Sequence, residues 1–309
     1  MFRFLRNGVP WWQTWCVLFC LATTGVAQDV PSGQANSGLA APEPSSRAVR
    51  VMSFNLRYGT ANDGDNRWEN RRNLLTRTVR EFAPDLLGTQ ETLELQKVWL
   101  DEHLPEFDSW GVGRDDGAQQ GEMTAVWYRR ARFERLDGGH FWLSEQPNQP
   151  GSVSWDSALT RMASWVKLRD RSLPDRAPLL FLNTHFDHRG EDARRKSAVL
   201  IRQKLSQLGD GCDWIVTGDF NAAEDSSPYA ELFAQTPPLL RDTFRVAFPG
   251  RSTASGTFNG FDSRATSGPR IDWIGVSPVW NVNSAEIVHT NENGRTPSDH
   301  FPVTAEIER

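Results

Sequence analysis

From about Val49 onward, short strand-like runs alternate with a few stretches of helical period. VRVMSFNLRYG begins as a strand. RWENRRNLLTRTVREFAPD places Leu74, Leu75, Val79 and Phe82 at helical spacing and stops near Pro84. DLLGTQE is a short apolar strand with a polar end, and LELQKVWLDEHL is a second helix. MTAVWYRRARFERLDGGHFWL reads as strands with a turn at Gly138 and Gly139. SWVKLRD and PLLFLNTHFD are strands, and GEDARRKSAVLIRQKLSQL is a third helix. DWIVTGDFN, RIDWIGVS, SAEIVHT and FPVTAEIE complete the set as strands. Helices are too few for a strict βαβ repeat. The pattern predicts an α/β domain of mixed sheets packed face to face with helices outside. The continuous apolar runs fit strands buried on both faces.

The start of the chain differs. Arg3 and Arg6 precede an apolar run from about Trp15 to Ala22, and Gly25 and Ala27 then supply small residues at a cleavage site. This is the anatomy of a secretory signal peptide over residues 1–27. An uncleaved anchor is the alternative, but the run is short against the about 20 residues a span needs. Phe19 before Cys20 disfavours lipidation. Residues 28–48 are rich in Pro, Ser, Gly and Ala and read as a flexible tether. No further linker or repeat interrupts residues 49–309, which read as one domain. The expected location is periplasmic or extracellular, with no transmembrane segment left after cleavage.

Composition adds three points. The 309 residues carry 34 basic and 39 acidic side chains, a net charge of −5. Loss of Arg3 and Arg6 leaves 32 basic residues against 39 acidic, or −7. Such a balance disfavours non-specific coating of nucleic acid but not cleavage at a local basic patch. Of the 3 cysteines only Cys212 lies beyond the signal peptide, so no internal disulfide is available and stability rests on the core. The 13 tryptophans demand burial or a stacking surface.

The chemistry is concentrated at strand ends. Apolar runs finish in Asn55, in Glu91, in His185 and Asp187, and in Asp219 and Asn221. Asp272 lies in RIDWIG, and Ser298, Asp299 and His300 precede the last strand. A lone Asn or Asp at a strand end is more often a turn former, and His140 and His289, without acidic company, read as structural. Repetition at successive strand ends is what points to a site, because a rigid sheet then holds groups that face a cleft. Oxygen-rich donors without thiolates suit Mg²⁺, with Mn²⁺ as a possible substitute, rather than zinc. Glu91 is the natural first ligand, with Asn55 or Asp299 beside it. An imidazolium paired with a carboxylate can meet a phosphoryl oxygen as charge builds. The set supports metal-assisted phosphoester hydrolysis.

VMSFNLRYG, LLGTQET, FLNTHFDH, IVTGDFNA, RIDWIGVS and TPSDHFPV, in that order from about Val51 to Pro302, resemble the successive signatures of the endonuclease/exonuclease/phosphatase superfamily. That group includes DNase I, abasic-site endonucleases, deadenylases, inositol polyphosphate 5-phosphatases and neutral sphingomyelinases. NLRYGTANDGDNRWENRR and GRDDG…GE…FWLSE further resemble a bacterial exported subgroup. The resemblance implies a four-layer α/β/β/α sandwich with two mixed sheets and an active site at one sheet edge. It implies that Asn55 and Glu91 hold the metal, with Asp299 near it directly or through water. His185 would contact the scissile phosphate. Asp219 would orient or deprotonate the attacking water, and Asn221 would fix that water or the phosphate. Asp272 would pair with His300, which stabilises the pentacoordinate phosphorane. Asp187 and His188 depart from the superfamily pattern and leave their role open, His188 as a phosphate contact or a turn residue.

Substrate is less legible. Arg67, Arg71 and Arg72, and Arg194, Arg195 and Lys196, line an anionic cleft or form solvated helix faces. Trp68, Trp155 and Trp165 stack a base or sugar, or fill the core. GSVSWDSALTRMASW is expected to loop over the cleft, with Arg161 as a substrate contact. The leading expectation is a secreted Mg²⁺-dependent nuclease, exonuclease-like, or nucleotide phosphodiesterase. Its alternatives are a phosphatase or phosphodiesterase of inositol phosphates or phospholipid headgroups, and a non-catalytic binding protein on the same fold. No stable protein partner is implied.

Overall fold

The computed structural model describes residues 47–250 and 255–309. The expected signal peptide and nearly all of the tether lie outside them. No helix among the described residues is long and apolar enough to cross a membrane.

Two six-stranded mixed sheets carry the chain. The first holds β1 (Val49–Asn55), β2 (Leu86–Gln90), β3 (Phe107–Trp110), β4 (Val126–Arg129), β11 (Asn281–Ile287) and β12 (Val303–Glu308), in the order β11-β12-β1-β2-β4-β3. The second holds β5 (Phe133–Trp142), β6 (Met162–Asp170), β7 (Leu179–His185), β8 (Asp213–Asp219), β9 (Arg241–Asp242) and β10 (Asp272–Val276), in the order β5-β6-β7-β8-β10-β9. Strands β1 and β2 are parallel, as are β7 and β8, so the polar ends of each pair emerge on one side.

Alternation along the strands builds three apolar layers. Val51, Leu179, Phe181 and Ile215 face the space between the sheets. Met52, Phe54 and Leu87 turn outward onto α1 (Trp68–Phe82) and α2 (Glu94–His103), meeting Leu75, Val79 and Leu100. Leu180, Leu182 and Val216 turn onto α3 (Glu191–Leu208) and α4 (Ser227–Phe233), meeting Ile201, Leu205 and Leu232. The expected four-layer α/β/β/α sandwich is therefore present. Helix α1 stops as its sequence requires: Ala83 adopts a left-handed cap (φ 51°) before Pro84, which cannot continue a helix.

One expectation fails. Gly138 and Gly139 form no turn; they lie inside β5, opposite Val166 and Trp165 of β6. The turn falls between Arg129 and Phe133 instead, where the chain passes from the first sheet to the second. A Cβ on Gly138 would come 3.2 Å from the Trp110 indole nitrogen, and one on Gly139 3.0 Å from the Trp165 ring. These glycines are spaces for tryptophan rings rather than bends. The short β3, β9, α4 and α5 (Thr243–Ala247) carry too little period to read from sequence.

Candidate active site

The polar strand ends of both sheets converge on one cavity of about 670 Å³, lined among others by Arg57, Glu91, Arg161, His185, Asp219, Asn221, Asp299 and His300. Asn55, at the end of β1, links the sheets. Its Nδ2 donates to Glu91 Oε1 at 3.1 Å and to Asp219 Oδ2, from the other sheet, at 2.9 Å. Glu91 follows β2 with a positive φ of 56°, a conformation costly for a side chain of this size and common at functional positions. Its Oε2 accepts the Tyr58 backbone N–H at 3.1 Å. Asn221 sits after β8 with a φ of 47°, and its backbone N–H reaches Asp219 Oδ1 at 2.9 Å.

The two histidines differ in charge. Asp272 is paired across the β8–β10 ladder with Asp219, and its Oδ2 lies 2.9 Å from His300 Nδ1. His300 Nε2 is 3.8 Å from Asp219 Oδ2. Burial works against the His300 cation, but Asp272 and Asp219 outweigh it and hold its pKa well above the ordinary value. His185 is the opposite case. Burial first, and then the Arg161 and Arg114 cations, push it well below the ordinary value, so its ring is neutral. Its Nε2 lies 3.1 Å from Asn221 Nδ2, an amide that only donates, so the proton sits on Nδ1. The site thus holds one imidazolium, not a pair.

The carboxylates outnumber the cations within reach. Burial, then neighbouring Asp272, raises Asp219 to about 7. Burial raises Asp299 as well, against the pull of His300. Arg57 is held in two hydrogen bonds to Asp63 and only approaches Asp299 at 3.7 Å. A cluster of oxygen donors short of positive charge fits a divalent cation. Among the described residues two groups bring ligand atoms within 4.8 Å of one another: Glu91, His185 and Asp219, and Asp219, Asp272 and His300. The first centres on Glu91, whose carboxylate accepts from Asn55 Nδ2 and from the Tyr58 backbone. In the second, His300 already pairs with Asp272 through Nδ1.

Sequence reasoning missed two charged residues. Arg114 and Glu122 form a bidentate pair at 2.8 and 2.9 Å, and Glu122 reaches 3.9 Å from His185 Nδ1. Both lie in the GRDDG…GE segment, whose resemblance to the exported subgroup was the one signal available. Of the segment expected to loop over the cleft, Leu159 and Arg161 line the cavity, while residues 162–165 already belong to β6. Other candidates fall away. Arg71 is fully buried and donates to the carbonyls of Leu56, Arg57, Asn66 and Pro297. Arg195 and Lys196 pair with Asp192 on α3. Trp68 and Trp165 are core residues, and Trp155 packs beside Lys196. His140, as expected, is structural, bonded to Ser164 and stacked on Trp110. Cys212 is free and partly buried.

A family model described as the endonuclease/exonuclease/phosphatase family matches residues 52–300. A mannosyl-6-phosphatase of Bacteroides thetaiotaomicron is similar at 36% identity and a TM-score of 0.79, over 84% of this chain and 100% of that one. An endonuclease/exonuclease/phosphatase of Bacteroides vulgatus is similar at 35% identity and a TM-score of 0.75, over 84% of this chain and 98% of that one. The uncharacterized protein R895 of Acanthamoeba polyphaga mimivirus is 26% identical over 218 residues, 59% of this chain and 31% of the viral protein's length.

Proposed function

The chain belongs to the endonuclease/exonuclease/phosphatase family, and from that premise we propose that it is a Mg²⁺-dependent phosphatase of a phosphorylated sugar, acting outside the inner membrane. The observation that carries the choice of substrate is the likeness to a mannosyl-6-phosphatase at 36% identity over that protein's whole length. The cavity of about 670 Å³ has the size of a small-molecule pocket. The nuclease expectation gains no comparable support, since the basic clusters of α1 and α3 are largely spent on backbone carbonyls and on Asp192. Export rests on the composition of residues 1–27.

Asn55, Glu91 and Asp299 would hold the cation. When bound, Mg²⁺ supplies Lewis-acid stabilisation of a phosphoryl oxygen. Asp219, fixed by Asn55 and by the Asn221 backbone, accepts the proton of the attacking water. Asn221 holds the neutral His185 ring through one amide nitrogen, which also donates to the Phe186 carbonyl at 3.0 Å. His185 presents that ring beside the phosphate. His300, kept cationic by Asp272, stabilises the charge that develops on phosphorus-bound oxygen during in-line attack, in which the bond from phosphorus to the sugar oxygen breaks and that oxygen leaves as an alcohol protonated from solvent.

The test is phosphate release from mannose 6-phosphate and glucose 6-phosphate, with RNA, single-stranded DNA and inositol phosphates as competitors. The expected result is Mg²⁺-dependent release from a sugar phosphate, abolished by chelator and restored by Mg²⁺ or Mn²⁺. Faster cleavage of either nucleic acid, or full activity in excess chelator, refutes the proposal.

A further inference from the structure

We propose that Arg161 and His188 form a receptor for the third non-bridging oxygen of a phosphomonoester, so that the site selects terminal phosphates over phosphodiesters. The proposal rests on the phosphatase reading and names the residues that enforce it. A phosphomonoester near neutral pH has three non-bridging oxygens and approaches two negative charges. A diester offers two such oxygens and one charge. The extra oxygen needs a donor beyond the cation and His300.

Among the cations that line the cavity, one carries a buried donor with no partner. The Asn221 side-chain nitrogen is committed to His185 and to the Phe186 carbonyl. Arg57 is committed through Nε and Nη2 to Asp63, and Arg114 through both terminal nitrogens to Glu122. Arg161 is different. It lines the cavity, its side chain is only 4% exposed, and its Nη1 is buried with no hydrogen-bond partner. A buried cationic N–H without an acceptor is uncommon and costly, and an anionic oxygen in the cavity would satisfy it.

His188 supplies the second donor. Arg161 Nη2 lies 3.0 Å from His188 Nδ1. Guanidinium only donates, so Nδ1 accepts and the ring proton sits on Nε2, which has no bond to another described residue. His188 is half-exposed and also lines the cavity. Its pKa is lowered, first by burial and then by Arg161, consistent with that neutral tautomer.

Asp187 connects the segments that carry the pair. Arg161 Nε lies 3.5 Å from Asp187 Oδ2, which accepts the Leu159 backbone N–H at 3.2 Å. Asp187 Oδ1 accepts the backbone N–H groups of Arg189 at 2.9 Å and Gly190 at 2.7 Å. One buried carboxylate therefore ties the loop carrying Arg161 to the turn carrying His188. A guanidinium on a loop tied in this way is partly preorganised to receive its ligand.

The experiment compares p-nitrophenyl phosphate with methyl p-nitrophenyl phosphate, a monoester and a diester with the same leaving group. The quantity read is the ratio of their kcat/KM values in each variant relative to wild type, so intrinsic reactivity cancels. Arg161→Ala is expected to lower the monoester-to-diester ratio about 100-fold, and added guanidinium to restore part of it. His188→Ala is expected to lower it about 10-fold and, being half-exposed, decides the matter if the Arg161 variant does not fold. Equal losses on both esters, leaving the ratio within about 3-fold of wild type in every folded variant, overturn the proposal. A wild-type enzyme that hydrolyses neither ester, or only the diester, instead overturns the phosphatase reading beneath it.

Discussion

Asp272→Asn isolates the charge on His300 while leaving its frame in place. Asp272 is held by the β8–β10 ladder, and its backbone N–H reaches Thr257 Oγ1 at 3.2 Å. The Thr257 carbonyl in turn accepts the Phe301 N–H at 2.7 Å, and Phe258 bridges to His300. An isosteric amide keeps all of this. It removes the largest of the carboxylate contributions that oppose burial of the imidazolium, leaving Asp219 at 3.8 Å and the weaker pull of Asp299. The ring then becomes neutral. If the amide oxygen faces Nδ1–H, a lone pair on Nε2 confronts the phosphoryl group. If the amide nitrogen faces Nδ1, Nε2–H remains as a neutral donor. A unit charge about 4 Å from a developing anionic oxygen is worth about 4 kcal/mol at an effective dielectric constant of about 20. A residual neutral donor recovers part of that, so kcat should fall about 10²–10³-fold. The assay is p-nitrophenyl phosphate turnover at saturating substrate and Mg²⁺, with circular dichroism to confirm the fold. A folded variant within about 10-fold of wild-type kcat would refute the assignment of the His300 cation to transition-state charge.

Two further predictions concern stability. Arg71 is fully buried and satisfies four carbonyl oxygens on the chain after β1, before α1 and before Ser298. Arg71→Met orphans them and should cost about 3–5 kcal/mol in urea unfolding; a change under about 1 kcal/mol would mean these loops do not depend on the clamp. His140 is held to about 4, against an ordinary 6.5, by burial. Its folded pKa is depressed, so the unfolded chain binds the extra proton and this contribution to stability falls as pH drops from 6.5 towards 4. The loss between about pH 7 and about pH 5 should be about 2 kcal/mol. It is measured by urea unfolding against His140→Gln, which should lack that increment, and an identical pH slope in both proteins would contradict the reading.

Much of the site could be read because its residues sit where an apolar strand ends. An amide after VMSF or a carboxylate after IVTG is conspicuous, since the strand beneath it must be buried and its end must open somewhere. Loops lack that contrast. Arg114 and Glu122 meet because Arg114 N–H bonds the Glu122 carbonyl at 3.0 Å across a turn, and no period announces such closure. Basic clusters misled in the other direction. Arg71 sits in a run that resembles a phosphate-binding face, yet its charge is spent on backbone oxygens, of the chain between β1 and α1 and of the distant Pro297. Gly138 and Gly139 were ambiguous for a similar reason, because glycine marks equally a bend and a place where a ring must pass. The histidines carried a third ambiguity. Composition shows two near acids, but only packing shows that His185 lies against arginines and His300 against Asp272.

The same alternation that places the site also explains why it holds its geometry. Along β1 the inward positions run Val51, Ser53, Asn55; along β7 they run Phe181, Asn183, His185; along β8 they run Ile215, Thr217, Asp219. Each strand passes from oil to a neutral polar layer to the reacting groups. In the middle layer Gln90 Nε2 donates to Ser53 Oγ at 3.1 Å and to Asn183 Oδ1 at 2.7 Å. Asn183 Nδ2 donates to the Thr89 and Ala125 carbonyls, and Thr217 Oγ1 donates to Asn183 Oδ1 at 3.0 Å. Gly88 lets the sheets close here, since a Cβ would meet Thr217 Oγ1 at 2.1 Å. Apolar residues of similar volume could fill this layer at little cost in stability. They would not specify how one sheet sits on the other, and a slip of one residue turns every inward side chain outward. A directional network fixes that placement, and Asn55 extends it into the cavity by bonding Glu91 and Asp219 with one amide. Glu91 and Asp219, which belong to different sheets, are thereby held at a fixed separation before any substrate arrives.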